Sequence, residues 1–211
     1  MTTEALILIH ADHAAGISDM VTDMRTPGTY RVADGSYVDY SAAIAAWTEA
    51  ALPVLERVAR TYQATISYRQ LGDEVQDATG IHTRVLLMNW IGQVLAGASR
   101  ESHRRGQPML SALCVHSDGT VGDGYGEAIA ENYGCEPPRD LDLHAAQERL
   151  RCYQLCGAVL PRGGGEPALT SQVAARRAFA AERRRADVAG QRYCPKCYLT
   201  LPMSGKCEYC S

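Results

Sequence analysis

The sequence predicts an α+β chain: a mainly helical body with a short buried strand region, followed by a small cysteine-bearing terminal module. Three observations carry this expectation. Apolar residues recur at three- and four-residue spacing through much of 41–105, the mark of amphipathic helices. A compact apolar run, Met109–His116, ends in the turn signal Ser117-Asp-Gly119 and reads as a buried strand. Two Cys-x-x-Cys pairs lie close together in 191–211.

The elements follow in order. Ala5–Ile9 is a short apolar run that suits a buried strand or the start of a helix. Thr26-Pro-Gly28 and Ala33-Asp-Gly-Ser36 are turn signals, and Tyr30–Val32 with Tyr37–Tyr40 suit a hairpin about the second. From Ser41, Ile44, Trp47, Ala51, Leu55, Val58 and Tyr62 share one helical face. Pro53 is expected to kink that helix or begin a second one, because it has no amide to donate. Ser67-Tyr-Arg-Gln70 is a capping box, which predicts a helix over 68–77. A longer helix is expected over 83–105, with Leu87, Trp90, Ile91, Val94, Leu95 and Ala98 as its stripe and Gly106 and Pro108 as its stop. Gly119, Gly122, Gly124 and Gly126 match neither phosphate-loop spacing, so they read as a turn into a helix near Glu127. A helix over 143–156 follows, with Asp142 as its cap and Leu143, Ala146, Leu150 and Tyr153 on one face. Arg162-Gly-Gly-Gly-Glu-Pro167 is a linker. An exposed helix rich in Ala and Arg, 171–188, has little beyond Phe179 to bury. The expected division is a body over 1–160, a linker and basic helix over 161–190, and a terminal module over 191–211.

Composition sets the outer bounds. The chain has 211 residues, 46% of them hydrophobic, and a net charge of −3. That excludes collagen-like, mucin-like and wholly disordered chains. Apolar runs such as Ala5–Ile9 and Leu110–Val115 fall far short of the ~20 residues a bilayer requires, so no membrane partner is expected. The N-terminus lacks the basic and apolar regions of a secretory signal. A cytoplasmic location is therefore expected, where the eight cysteines stay reduced and close pairs serve as metal ligands. Charge is unevenly spread. Residues 1–150 hold 11 basic and 20 acidic side chains, whereas 151–211 hold 10 basic and 4 acidic. An appendage of that sign suits a polyanion, or else is simply a solvated helix.

The strongest motif is Cys194-Pro-Lys-Cys197, nine residues, then Cys207-Glu-Tyr-Cys210. Each pair forms a knuckle presenting two thiolates at about 2.3 Å from one ion, and two knuckles close a tetrahedron. That is the ligand set of one structural Zn²⁺; against the competing reading, a redox dithiol pair, stand two pairs in tandem with no preceding thioredoxin-like strand. Leu199–Met203 would form a short hairpin arm, with Ser204-Gly205 as the turn. A module this small cannot bury enough apolar surface to fold alone, so metal must supply its stability. The stretch Cys194–Cys210 resembles the short zinc ribbons at the ends of many bacterial and phage proteins. The likeness covers about twenty residues. It implies metal binding and a contact surface for nucleic acid or protein, and no catalysis. Many such ribbons carry Gly after the first knuckle; here Tyr198 stands there and must tolerate the turn or point outward as a contact.

Weaker signals surround this motif. Arg176, Arg177, Arg183, Arg184 and Arg185 suit a phosphate backbone, or else a charged spacer. Tyr193, Tyr198 and Tyr209 suit stacking on unpaired bases, or else cover the metal. The helices before the buried strand loosely resemble a winged helix-turn-helix, and 66–125 resembles segments of uncharacterised bacterial and phage proteins, a likeness that carries no activity. Cys135, His144, Cys152 and Cys156 are candidates for a second metal. His82, His103, Cys114 and His116 are candidates for an enzymatic site in the body. The expectation is a non-enzymatic zinc protein that docks on nucleic acid or a nucleic-acid machine. The alternatives are a protein-interaction adaptor, phage- or defence-related, and an enzyme.

Overall fold

The computed structural model describes residues 28–190, 192–202 and 204–210. The expected element at Ala5–Ile9 and the start of the turn at Thr26 lie outside them. Among the described residues the chain is mainly helical with two small two-stranded sheets. Strand β1 (Thr29–Arg31) leads to helix α1 (Tyr40–Ala59), β2 (Ile66–Ser67), α2 (Tyr68–Thr79) and β3 (Ile81–Thr83). A 3₁₀ turn at Leu87–Asn89 precedes α3 (Ile91–Arg104), and another at Leu110–Leu113 precedes β4 (Cys114–Val115). Helices α4 (Asp123–Tyr133), α5 (Leu141–Leu155) and α6 (Ser171–Gly190) complete it.

Helix α1 is one helix, not two. Asp39 caps it through its carboxylate, which accepts from the amides of Ser41 and Ala42. Pro53 lies on its exposed face, as does Glu49 one turn earlier, so the carbonyl that loses its partner faces water and the helix continues. The inner face buries Trp47, Ala51 and Leu55. The Trp47 ring lies 4.5 Å from that of Trp90, and its indole N–H donates to the Ile81 carbonyl at 2.9 Å. Helix α2 starts at the capping box: the Gln70 amide donates to the Ser67 hydroxyl, and the Gln70 side chain accepts from the Ser67 amide. It stops at Gly80, whose φ of 62° is the left-handed C-cap geometry.

Four of the expected elements take a different extent in the structure. The hairpin expected at 30–40 is present in short form: Tyr30 bridges Tyr37, the Arg31 amide donates to the Ser36 carbonyl and the Val38 amide to the Thr29 carbonyl, while β1 also pairs antiparallel with β3. The helix expected from Thr83 starts at Ile91. Thr83 is held extended opposite Thr29, its hydroxyl donating to the Gly28 carbonyl and its amide to the Gln76 side chain. The strand expected over 109–116 shrinks to Cys114–Val115, which pairs parallel with Ile66–Ser67. The Met109 amide finds the buried Glu148 carboxylate at 2.9 Å rather than a neighbouring strand. The glycine-rich turn enters α4 at Asp123, a turn earlier than Glu127.

Helix α5 is capped by Asp140, not Asp142. Asp140 accepts from the Leu143 amide, while Asp142 accepts from the Val121 amide across the loop. Leu143 is 46% exposed, and the inward positions go to Ala145, Ala146, Glu148, Arg149, Cys152 and Tyr153. Two of these are charged and nearly buried. Glu148 accepts from Met109 and from Arg151; Arg149 donates to the carbonyls of Ala112 and Ala168. That last bond ties the segment before α6 to the body. Gly165 packs on Tyr62 and Leu150, and the Glu166 amide donates to the Tyr62 hydroxyl.

Helix α6 is anchored by its first two turns. Val173, 1% exposed, is its buried apolar contact, whereas Phe179 is 63% exposed. Thr170 caps it and donates to the Gly119 carbonyl. Arg176 pairs with Asp118 at 2.9 Å, and Arg177 forks onto Asp140 at 2.6 and 2.7 Å with Asp142 at 3.4 Å. The Arg177 guanidinium holds the Asp140 carboxyl below its ordinary range. Thr120 and then Arg176 do the same for Asp118.

Two outcomes follow. Ser67→Ala removes the capping hydroxyl and is expected to cost about 1 kcal/mol of stability, read from the urea midpoint. The depressed Asp140 and Asp118 carboxyls stabilise α6 docking above their ordinary value of 3.8, and that contribution is lost as pH falls through the lower folded values. Hydrogen-exchange protection of 171–177 is therefore expected to drop below about pH 4 while the buried middle of α1, around Trp47 and Ala51, stays protected.

Candidate metal centre

The terminal module presents four sulfurs by short-range backbone geometry. In the first knuckle the Tyr198 amide donates to the Cys194 carbonyl at 2.9 Å, folding Cys194 and Cys197 onto one side. The Lys196 amide lies 3.5 Å from the Cys194 sulfur. An arm returns beside it: the Cys194 amide donates to the Leu199 carbonyl, the Leu201 amide to the Arg192 carbonyl, and Tyr193 bridges Thr200. The expected arm is thus present as far as Pro202; Met203 lies outside the described residues. The turn to the second knuckle closes with the Gly205 amide on the Pro202 carbonyl, Gly205 taking a φ of 72°. Tyr198 takes a φ of 60° and is 79% exposed, so it both tolerates the turn and points outward.

The sulfurs of Cys194, Cys197, Cys207 and Cys210 all lie within 4.8 Å of one another, and those of Cys197 and Cys207 are 3.5 Å apart. A tetrahedron with metal–sulfur bonds of about 2.3 Å has edges of about 3.8 Å. The donor set therefore fits one ion, and these four cysteines could hold it. Electrostatics agree. Backbone N–H groups of Cys197 and Lys196 pull the Cys194 thiol down to about 6. Interaction with the Cys197 sulfur, with burial, pushes Cys210 up to about 12. The Tyr209 amide pulls the Cys207 thiol down, but burial together with the Cys197 and Cys194 sulfurs outweighs it and leaves the thiol raised. The raised thiols show that gathering the sulfurs as anions is unfavourable by itself, and a shared cation would relieve that repulsion.

The other candidate residues do not converge in this way. Among the described residues, Cys194, Cys197, Cys207 and Cys210 are the one group of three or more His, Cys, Asp or Glu side chains placed to share an ion. Cys135 is exposed, the His144 Nδ1 is 3.0 Å from the Tyr125 hydroxyl, Cys152 is buried against the Met109 carbonyl, and Cys156 is half-buried. His82 lies 3.5 Å from Asp77, beside the Tyr30 ring, and His103 meets the Tyr133 ring edge-on. Cys114 is buried, which pushes its thiol up and away from nucleophilic character. His116 lies 4.3 Å, ring to ring, from Tyr68.

Of the five candidate arginines, Arg176 and Arg177 are engaged by body carboxylates. Arg183, Arg184 and Arg185 are exposed and make no ion pair among the described residues. One grouping escaped the sequence. His116, Tyr68, Ser99, Ser111 and Tyr125 line a cleft of about 270 Å³. They come from four separate stretches, and nothing in their spacing signals the association. Comparison with family models, curated proteins and solved structures finds no match to the chain.

Because each ligand must lose its proton to bind, metal affinity is expected to fall steadily as pH is lowered from 8 to 6. A chelator-competition titration reads this directly. Cys207→Ser is expected to weaken binding of the ion at every pH in that range, while the urea midpoint of the body stays unchanged.

Proposed function

We propose that this chain is a non-catalytic zinc protein whose terminal module docks it on nucleic acid or a nucleic-acid machine. The convergence of four cysteine sulfurs within 4.8 Å carries this reading. An all-thiolate tetrahedral set selects Zn²⁺ or iron–sulfur chemistry, and the two-knuckle spacing favours one Zn²⁺. Four protein ligands leave no open position for substrate or water, so the ion is structural. When bound, it supplies the folding energy of a module with almost no apolar core. The division into a body (1–160), a linker and basic helix (161–190) and a ribbon (191–211) is part of the proposal, as is a cytoplasmic setting that keeps the thiols reduced. No helix among the described residues is long and apolar enough to cross a membrane.

Arg183, Arg184 and Arg185 are the side chains to attract phosphates, since Arg176 and Arg177 hold α6 to the body. The second reading, a protein-interaction adaptor, is favoured by the same two ion pairs and by charge. Four thiolates on Zn²⁺ carry a formal −2, which offsets much of the positive charge of Arg192, Lys196 and Lys206.

A gel-shift titration of the full zinc-loaded chain across a salt series separates the two readings. Docking on nucleic acid is expected to weaken with salt, and Arg183→Ala with Arg184→Ala and Arg185→Ala should flatten that slope by about 2–3 units. Arg176→Ala should leave the slope nearly unchanged. No retardation at low salt would favour the adaptor.

A further inference from the structure

We propose that the module binds single-stranded nucleic acid by stacking bases on Tyr198 and Tyr209, an inference that deepens the nucleic-acid reading above and rests on it. Tyr198 is the informative residue. Its φ of 60° lies in the left-handed region, where a Cβ crowds the following carbonyl and glycine is free of that penalty. Among the described residues, Gln63 is the one other non-glycine residue there. The Tyr198 amide's bond to the Cys194 carbonyl holds the turn, but the ring's own packing does little to offset the strain, because it is 79% exposed. A tyrosine that strains its own turn and packs on little is accounted for by what it presents to a partner.

Tyr209 matches it. The ring is 82% exposed and sits between Cys207 and Cys210 on the second knuckle. Tyr198 directly follows Cys197, and Tyr209 directly precedes Cys210. Both backbones are therefore rooted beside ligands of one ion, so two aromatic faces are presented with little left to order on binding. Every unpaired base offers a matching π-face. Arg183, Arg184 and Arg185 on α6 supply cations for the phosphates, a pairing of aromatic faces with free cations that an apolar protein partner does not require.

Shape selects the single strand over the duplex. The described part of the module holds one isolated bridge, Tyr193 with Thr200, and no helix. Apart from α6 before it, the described part of the module offers no element to fill a major groove. In a duplex the base faces are covered by their neighbours, and two exposed rings find nothing to stack on.

Fluorescence anisotropy of the full zinc-loaded chain tests this with labelled oligothymidylate and a duplex of equal length. The expected result is at least about tenfold tighter binding of the single strand. Tyr198→Gly is expected to weaken it about fivefold or more, with zinc content unchanged and resistance to chelation equal or higher because the strain is relieved. Tyr198→Phe keeps the face and should bind within about twofold of the parent. Equal affinity for both strand forms, or a Tyr198→Gly variant that binds normally, overturns stacking and leaves arginine-driven docking standing. A Tyr198→Gly variant that loses zinc also overturns it, since the residue would then be structural. No binding of either nucleic acid overturns the docking reading itself.

Discussion

Trp47 ties three elements together through one side chain. Its ring packs on Trp90 at the start of α3, and its indole N–H satisfies the Ile81 carbonyl in β3. A buried indole needs a partner for its donor, so the residue sets position as well as burial. Helix α1 thereby fixes where β3 lies, and β3 in turn holds β1. The inner face of α1 also buries Ala51 and Leu55, whose packing leaves no freedom for the two-helix alternative at Pro53.

Around that centre, buried polar groups replace regular backbone pairing. Glu148 receives the Met109 amide, Arg149 binds the carbonyls of Ala112 and Ala168, and Ser99 meets Ser111 at 2.6 Å. These bonds give partners to interior backbone groups that short 3₁₀ turns and two-residue strands leave unpaired. They also explain why the segment before α6 follows the body. Arg149 reaches it from within, Tyr62 from the surface, and the Arg176 and Arg177 ion pairs fasten the first turns of the helix that follows.

The terminal module obeys a different economy. Its order comes from local backbone turns that gather four sulfurs, a set that could hold one ion. With little core to build, it spends its larger side chains outward, Tyr198 and Tyr209 above all. Three arginines lie exposed on the helix before it. A module that coordination would stabilise is free to make nearly all of its surface a contact surface.

What was legible from the sequence was whatever rests on contacts close in the chain. The capping box at Ser67 and Gln70, the span of α6 and the four-cysteine constellation each depend on residues within a turn, a helix or a pair of adjacent knuckles. The left-handed turn at Tyr198 was legible too, as a tyrosine where similar ribbons carry glycine. Tertiary structure decided the rest. Thr83 has the surroundings of a helix and becomes a strand because Thr29 lies opposite it. Arg176 and Arg177 look no different from Arg183 in the sequence, yet carboxylates 35 or more residues away engage them. Local propensities differ by less than about 1 kcal/mol per residue, so a single long-range hydrogen bond or ion pair in the right place is enough to reverse them.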